Sequence, residues 1–234
     1  DLLVVAGSLP KLSEVRQELS SKFNIKVECL SIDLSSEESA TEVLNWIKKN
    51  NLEVDILVNN AGYGIWNSIE QTPWAELNNM LHLNVITLTG LCNLMIPELR
   101  KHPQSFILNV ASTAAYQAVP TLSTYAATKA FVVLFSRGLR RELRNSNISV
   151  TCVSPGATST NFVDRAGMSD AMKKRAEKFS MSAIDVAKSA VKGMYQKKAE
   201  VLPGFANWLS VQLTYLLPKF IPESIAEGLY KTKA

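Results

Sequence analysis

The chain has 234 residues, 47% of them apolar, enough for one sizeable core. Its net charge is +4, with both signs interspersed and no basic arm or finger-like segment, which argues against a nucleic-acid partner. The two histidines (His82, His102) and three cysteines (Cys29, Cys92, Cys152) lack ligand or pair spacing. A protein-built metal site, a Ser-His-Asp triad and a disulfide framework are therefore unsupported, and the expected setting is reducing and cytoplasmic.

Short β-branched runs alternate with helical patterns along the chain. A strand is predicted over 1–6 (DLLVVA) and a helix from Lys11 to Phe23. A strand follows at 25–32, then a helix over 35–50 with serine at its cap and acids in its first turn. The run VDILVNNAG (54–62) reads as a strand ending in a turn, followed by one long helix from Pro73 to Arg100. A strand at 105–112, a helix at 122–144 with arginines in its last turns, and a strand and stop at 148–156 complete the regular part. Apolar strands each followed by a helix predict a parallel sheet covered on both faces, in one domain spanning 1–234. No signal-peptide pattern opens the sequence, and the apolar segment 201–222 is too broken by Pro203, Pro218 and Pro222 to span a membrane.

In such sheets ligands bind beyond the carboxyl ends of the strands, so the informative residues sit where strands stop. These are Asp33-Leu34, Asn59-Asn60-Ala61-Gly62, Ser112 and Pro155-Gly156. Downstream, STYAATKAF places Tyr125 four positions before Lys129. A Tyr-x-x-x-Lys match is expected about 0.4 times by chance in such a chain, and a second one occurs at Tyr215 and Lys219. Pro218 lies inside that second pair and disfavours a helical backbone there.

Taken together, these motifs resemble the Tyr-x-x-x-Lys branch of the short-chain dehydrogenase/reductase family over residues 1 to about 160. The carriers are NNAG at 59–62, Asn84 in HLNV, Ser112 thirteen positions before Tyr125, and PGATST at 155–160. The resemblance implies a three-layer, doubly wound, Rossmann-like sheet and an NAD(P)-dependent oxidoreductase that interconverts an alcohol with a ketone or aldehyde. It also implies Tyr125 as general acid/base, Lys129 as the charge that lowers its pKa, Ser112 orienting the substrate oxygen and Asn84 in a proton relay. Cofactor contacts are implied at Gly7, Ser8, Asp33, Leu34, Asn60, Ala61, Gly62, Tyr125, Lys129, Pro155, Gly156, Thr158 and Thr160.

The chemistry suits the residue types. A tyrosine of reference pKa about 10 needs a drop of roughly 3 units to act as a base near neutrality, or about 4 kcal/mol. An ammonium about 4 Å away at an effective dielectric of about 20 supplies that much. A spacing of four on a helix brings the two side chains together, and a serine hydroxyl can donate to the substrate oxygen.

The resemblance departs at the start. The family's first strand, glycine-rich phosphate loop and first helix are missing, and the chain opens at what reads as the second strand. Gly62-Tyr63-Gly64 is no substitute for the loop. In the strand order 3-2-1-4-5-6 the absent strand is central, which leaves two unpaired edges and predicts an N-terminally incomplete copy with weak dinucleotide binding. A non-catalytic or cofactor-deficient binding protein of the same fold is the alternative this departure raises. The end of the second strand, Ala6-Gly7-Ser8 with Lys11 beyond, carries no acid to repel a 2′-phosphate, so NADP is preferred over NAD.

Residues 161–182 read as a substrate lid whose Met-rich, polar composition predicts mobility. The apolar tail 203–234 predicts packing on the domain or on a second subunit. A membrane-surface enzyme acting on lipid-linked substrates is the other reading of that tail. A homo-oligomer pairing the helices at 73–100 and 122–144 is implied by the resemblance.

Overall fold

The computed structural model describes residues 1–160, 162–169, 174 and 180–230. Its elements in order are β1 (Leu2–Ala6), α1 (Leu9–Phe23), β2 (Val27–Ser31), α2 (Ser39–Lys49), β3 (Ile56–Asn59), α3 (Trp74–Leu81), a π-helical segment (His82–Thr87), α4 (Leu88–Leu99), β4 (Ser105–Val110), α5 (Ser123–Glu142) and β5 (Ile148–Val153). After them come β6 (Thr158–Ser159), α6 (Phe162–Arg165), β7 (Met181–Ser182), α7 (Ala183–Tyr195), β8 (Glu200–Val201), α8 (Phe205–Leu216) and α9 (Phe220–Tyr230).

Every ladder is parallel, and strand alternation sorts the two faces. Ile107 on β4 and Leu57 on β3 point into one core with Val43 and Ile47 of α2, Leu88, Cys92, Met95 and Leu99 of α4, and Val132 and Leu139 of α5. Phe106 and Leu108 point the other way, onto Ala190 and Met194 of α7. On β2 the Cys29 thiol donates to the Leu12 carbonyl of α1, while Leu30 packs on the α2–α4–α5 side. Helices thus cover both faces of a Rossmann-like sheet.

The sheet is split. β1 pairs with β2, and β3, β4, β5 and β8 form a second sheet in that order. Among the described residues no ladder joins β1 to β3, although both pack on the same helical core. On the opposite face α1 covers β1 and β2 while α7 covers β4 and β5. Between those helices Val58 of β3 stays 51% exposed.

Two predicted helices differ in detail. The second helix starts at Ser39, not at Ser35, because Asp33 Oδ1 accepts the Ser35 amide (2.9 Å) and hydroxyl (2.7 Å) and holds 33–36 as a turn. The long helix is continuous from Trp74 to Leu99 but carries the π-helical segment at its centre. By length and composition it could cross a membrane, yet its inward face supplies Leu83, Leu88, Cys92, Met95 and Leu99 to the core.

Candidate active site

α5 buries Tyr125, Ala126, Lys129, Val132, Val133, Ser136 and Leu139, a stripe at helical spacing that faces the sheet. The pair Tyr125 and Lys129 therefore lies on the inward face of the helix, one turn apart, and both side chains are buried. The Lys129 ammonium donates to the Val110 carbonyl at 2.9 Å and lies 5.9 Å from the centroid of the Tyr125 ring. Burial pushes the Lys129 pKa down to about 8. The second pair behaves differently: α8 ends at Leu216, Leu217 is extended, and Lys219 rests over the exposed Tyr215 ring at 6.0 Å.

Asn84 arrives from the π-helical segment, a wider turn that recurs at functional sites. Its Oδ1 accepts the Tyr63 amide (3.2 Å), and its Nδ2 donates to the Tyr63 carbonyl (2.9 Å) and to Thr128 Oγ1 (3.1 Å). Thr128 in turn donates to the Tyr125 carbonyl at 2.7 Å. The turn after β3 closes this cluster. A Cβ at Gly62 would lie 2.9 Å from Asn84 Oδ1 and 3.2 Å from Lys129 Nζ, and one at Gly64 would lie 3.1 Å from the Tyr125 ring. Only glycine lets the strand end approach this closely. Asn59, just ahead, is structural: its amide donates to Asn109 Oδ1 (2.8 Å) and Cys92 Sγ (3.3 Å) inside the core.

Ser112 caps the 3-10 turn Thr113–Tyr116, which packs on α5. Its Oγ accepts the Ala114 amide at 3.2 Å, leaving its own proton to donate. The adjoining loop is tied to this turn, since the Thr113 amide donates to the Pro155 carbonyl at 2.8 Å. Gly156 is overlaid by Asn207 of α8, whose Oδ1 would lie 2.3 Å from an added Cβ. Thr158 Oγ1 donates to the Gly156 carbonyl (3.0 Å), and Thr160 Oγ1 accepts the Phe162 amide (3.3 Å), which starts α6.

Across the split, Gly7 and Ser8 lie between the end of β1 and the start of α1, with the Ser31 hydroxyl donating to the Gly7 carbonyl at 3.5 Å. Asp33 is exposed, and its carboxyl is held below the usual range chiefly by the Ser35 side-chain and backbone hydrogen bonds. The Leu34 carbonyl turns inward to accept from Ser39 (3.1 Å) and Thr87 (2.6 Å). Asn60 and Ala61 are exposed at the end of β3.

Much of the predicted lid (161–182) lies outside the described residues. Its described start packs on the site: the Phe162 ring centroid is 5.2 Å from that of Tyr125, and Ala166 and Met168 are buried with Leu77, Met80 and Tyr125. A cleft of about 410 Å³ opens beside it, lined by Tyr63, Ile65, Trp66, Glu76, Asn79 and Arg165 among others. Phe162, Arg165 and Asn207 escaped the sequence reading. A signal existed for the first two, since they directly follow the Pro-Gly-x-x-x-Thr stretch; none existed for Asn207, which lies far along the chain from the glycine it covers.

The family model described as short chain dehydrogenase matches residues 1–171. A probable short-chain type dehydrogenase/reductase, VdlC, of Helicobacter pylori is 33% identical over 87% of this chain and 80% of its own length. A very-long-chain 3-oxoacyl-CoA reductase-B of Danio rerio is 30% identical over 69% of this chain, and the match spans about half of that protein, 52%. Among solved structures, a short-chain dehydrogenase from Sphingobium yanoikuyae in complex with NADPH superposes with a TM-score of 0.79 at 26% identity, over 92% of this chain and 84% of that one.

Proposed function

The chain belongs to the short-chain dehydrogenase/reductase family of NAD(P)-dependent oxidoreductases, and from that premise we propose that it reduces a ketone or aldehyde, or oxidises the matching alcohol, with NADP preferred over NAD. The observation that carries this reading is the buried cluster of Tyr125, Lys129 and Asn84 closed over by Gly62 and Gly64. A nicotinamide cofactor fits it: the Lys129 ammonium has three donors and one described acceptor, leaving two N–H groups for ribose hydroxyls. When bound, that cofactor supplies or takes the hydride.

The chain's own residues handle the proton and the oxygen. Ser112 donates to the substrate oxygen, and Tyr125 gives its phenolic proton to that oxygen during reduction or takes it during oxidation. The Lys129 ammonium, 5.9 Å from the ring centroid, is the nearby positive charge that favours the phenolate form of Tyr125. Asn84 ties the Tyr63 turn, through Thr128, to the helix that carries Tyr125, and its part in a proton relay is the role the family resemblance gives it. The apolar wall of Ile65, Trp66, Phe162 and Met168 around Tyr125 suits a carbonyl on an apolar chain. A 3-oxoacyl thioester, the kind of substrate named for one relative, is the first to try.

The test is oxidation of NADPH, followed by its absorbance, with 3-oxoacyl thioesters and simple ketones, comparing wild type with Tyr125→Phe. Loss of at least about a hundredfold in turnover with the fold retained is expected. A Tyr125→Phe variant as active as wild type removes the proposed acid/base, and equal turnover with NADH and NADPH removes the NADP preference.

A second reading concerns location. The α8–α9 surface exposes Phe205 (75%), Leu216 (78%) and Phe220 (67%), and α8 carries no charged residue. That favours contact with a membrane surface while the site acts on lipid-linked substrates.

A further inference from the structure

A second buried phenol stands behind Ser112. Tyr116 closes the 3-10 turn Thr113–Tyr116 that Ser112 caps, and its side chain is buried. Its hydroxyl meets two groups from neighbouring parts of the sheet: Ser154 Oγ at 2.9 Å, just after β5, and the Glu200 carboxylate on β8. Strand alternation puts the carboxylate there. Val201 packs with Val153 and Met194 on the α7 face, so Glu200 points to the opposite face, beside its ladder partner Cys152. From α8 the Tyr215 ring closes edge-on over Tyr116, with centroids 6.1 Å apart and planes at 72°.

The donor directions follow from the groups themselves. Glu200 forms no ion pair among the described residues, and a carboxylate only accepts. Tyr116 therefore donates its one proton to Glu200, and the Ser154 hydroxyl donates to the phenol oxygen. Burial, and then the bond to Glu200, push the Tyr116 phenol up, so it stays protonated and is no second acid/base. A bond to an ionised acceptor is stronger than a neutral one and costly to leave unmade where it is buried. This one ties the last residue of the turn to the sheet. The first is tied too, since the Thr113 amide donates to the Pro155 carbonyl at 2.8 Å. Between these ties the Ala114 and Ala115 amides donate to Ser112 Oγ (3.2 Å) and to the Ser112 carbonyl (3.0 Å), so the turn sets where the Ser112 proton points.

We propose that Tyr116 is a positioning residue for carbonyl reduction: bonded to Glu200, it fixes the turn that aims the Ser112 hydroxyl at the substrate oxygen. The proposal rests on the reading that Ser112 donates to that oxygen. It gives β8 a part in the reaction, although none of its residues belongs to the cluster around Tyr125.

The experiment joins amide hydrogen exchange to a double-mutant cycle on NADPH oxidation by a 3-oxoacyl thioester or a simple ketone. The variants of the 234-residue chain are Tyr116→Phe, Glu200→Gln, Ser112→Ala and the Tyr116→Phe, Ser112→Ala pair, with thermal melts as a control for folding. Tyr116→Phe is expected to speed exchange at the Thr113, Ala114 and Ala115 amides about tenfold, and to lower kcat about tenfold with the KM for NADPH unchanged. Ser112→Ala should lower kcat about a hundredfold, and adding Tyr116→Phe should cost nothing further, because the hydroxyl being aimed is gone. Glu200→Gln keeps an acceptor for the phenol and should stay within about threefold of wild type. Unchanged exchange in Tyr116→Phe overturns the proposal, as does a Tyr116→Phe loss that is the same with and without the Ser112 hydroxyl. A wild-type chain that turns over no carbonyl, with exchange altered as expected, refutes the oxidoreductase reading and leaves the hold on Ser112 established.

Discussion

Lys129 is a buried ammonium whose described partner is a carbonyl, not a carboxylate. Burial brings its pKa from 10.5 to about 8, so the native chain binds fewer protons than the unfolded chain between those values. The Lys129 contribution to stability is therefore most favourable above pH 10.5 and declines as pH falls toward 8, below which its penalty, about 3 kcal/mol, is complete. Lys129→Met is expected to raise the melting midpoint at pH 7 by roughly 5–10 °C while abolishing carbonyl turnover, and to confer no gain above about pH 11. Equal midpoints at pH 7 would show that the site stores no such cost. Glycine matters at the same scale: Gly62 and Gly64 face Asn84, Lys129 and Tyr125 at distances that leave no room for a methyl group.

At the scale of elements, two features place side chains where a regular helix would not. The π-helical segment His82–Thr87 turns the buried Asn84 toward Tyr63 and Thr128. A hydropathy pattern over 74–99 reads as one α-helix, because the wider turn depends on what Asn84 meets across the core. α8 is the other case. Its Asn207 covers Gly156, its Val211 enters the main core, and its outer side is Phe205, Trp208, Leu209 and Leu213, exposed by 42–75%. Phe205 stacks on Trp208 at 5.8 Å, giving an aromatic patch of the kind that settles at a lipid headgroup boundary. Co-flotation with anionic phospholipid vesicles is the expected outcome, with release of a Phe205→Ser, Trp208→Ser variant; a wild-type chain that stays in the dense fraction contradicts membrane contact.

Across the whole molecule, the described strands form no ladder between β1 and β3. Two parallel edges face a gap, and the layer above it leaves Val58 half exposed. Open apolar edges invite pairing with other chains. A strand, glycine-rich loop and helix joined ahead of Asp1 are expected to fill the gap, cover Val58, raise the melting midpoint and tighten NADPH binding at least about tenfold. An extended chain that melts and binds as the 234-residue chain does would show that the gap has no bearing on the cofactor. Element order, the parallel alternation and the Tyr125–Lys129 pair were legible in the sequence, because period and strand-end chemistry are written in stretches of a few residues. The split follows from strand order once the fold class is known. The π turn at Asn84, Phe162 on Tyr125, Arg165 over Tyr63 and Asn207 on Gly156 were not legible. Each is a contact between residues 21 to 102 positions apart, and no local pattern specifies which distant side chain completes a packed site. The sequence by itself determined the fold class and the one-turn spacing of Tyr125 and Lys129; only the tertiary structure decided what covers them, because close packing is settled by the whole chain at once.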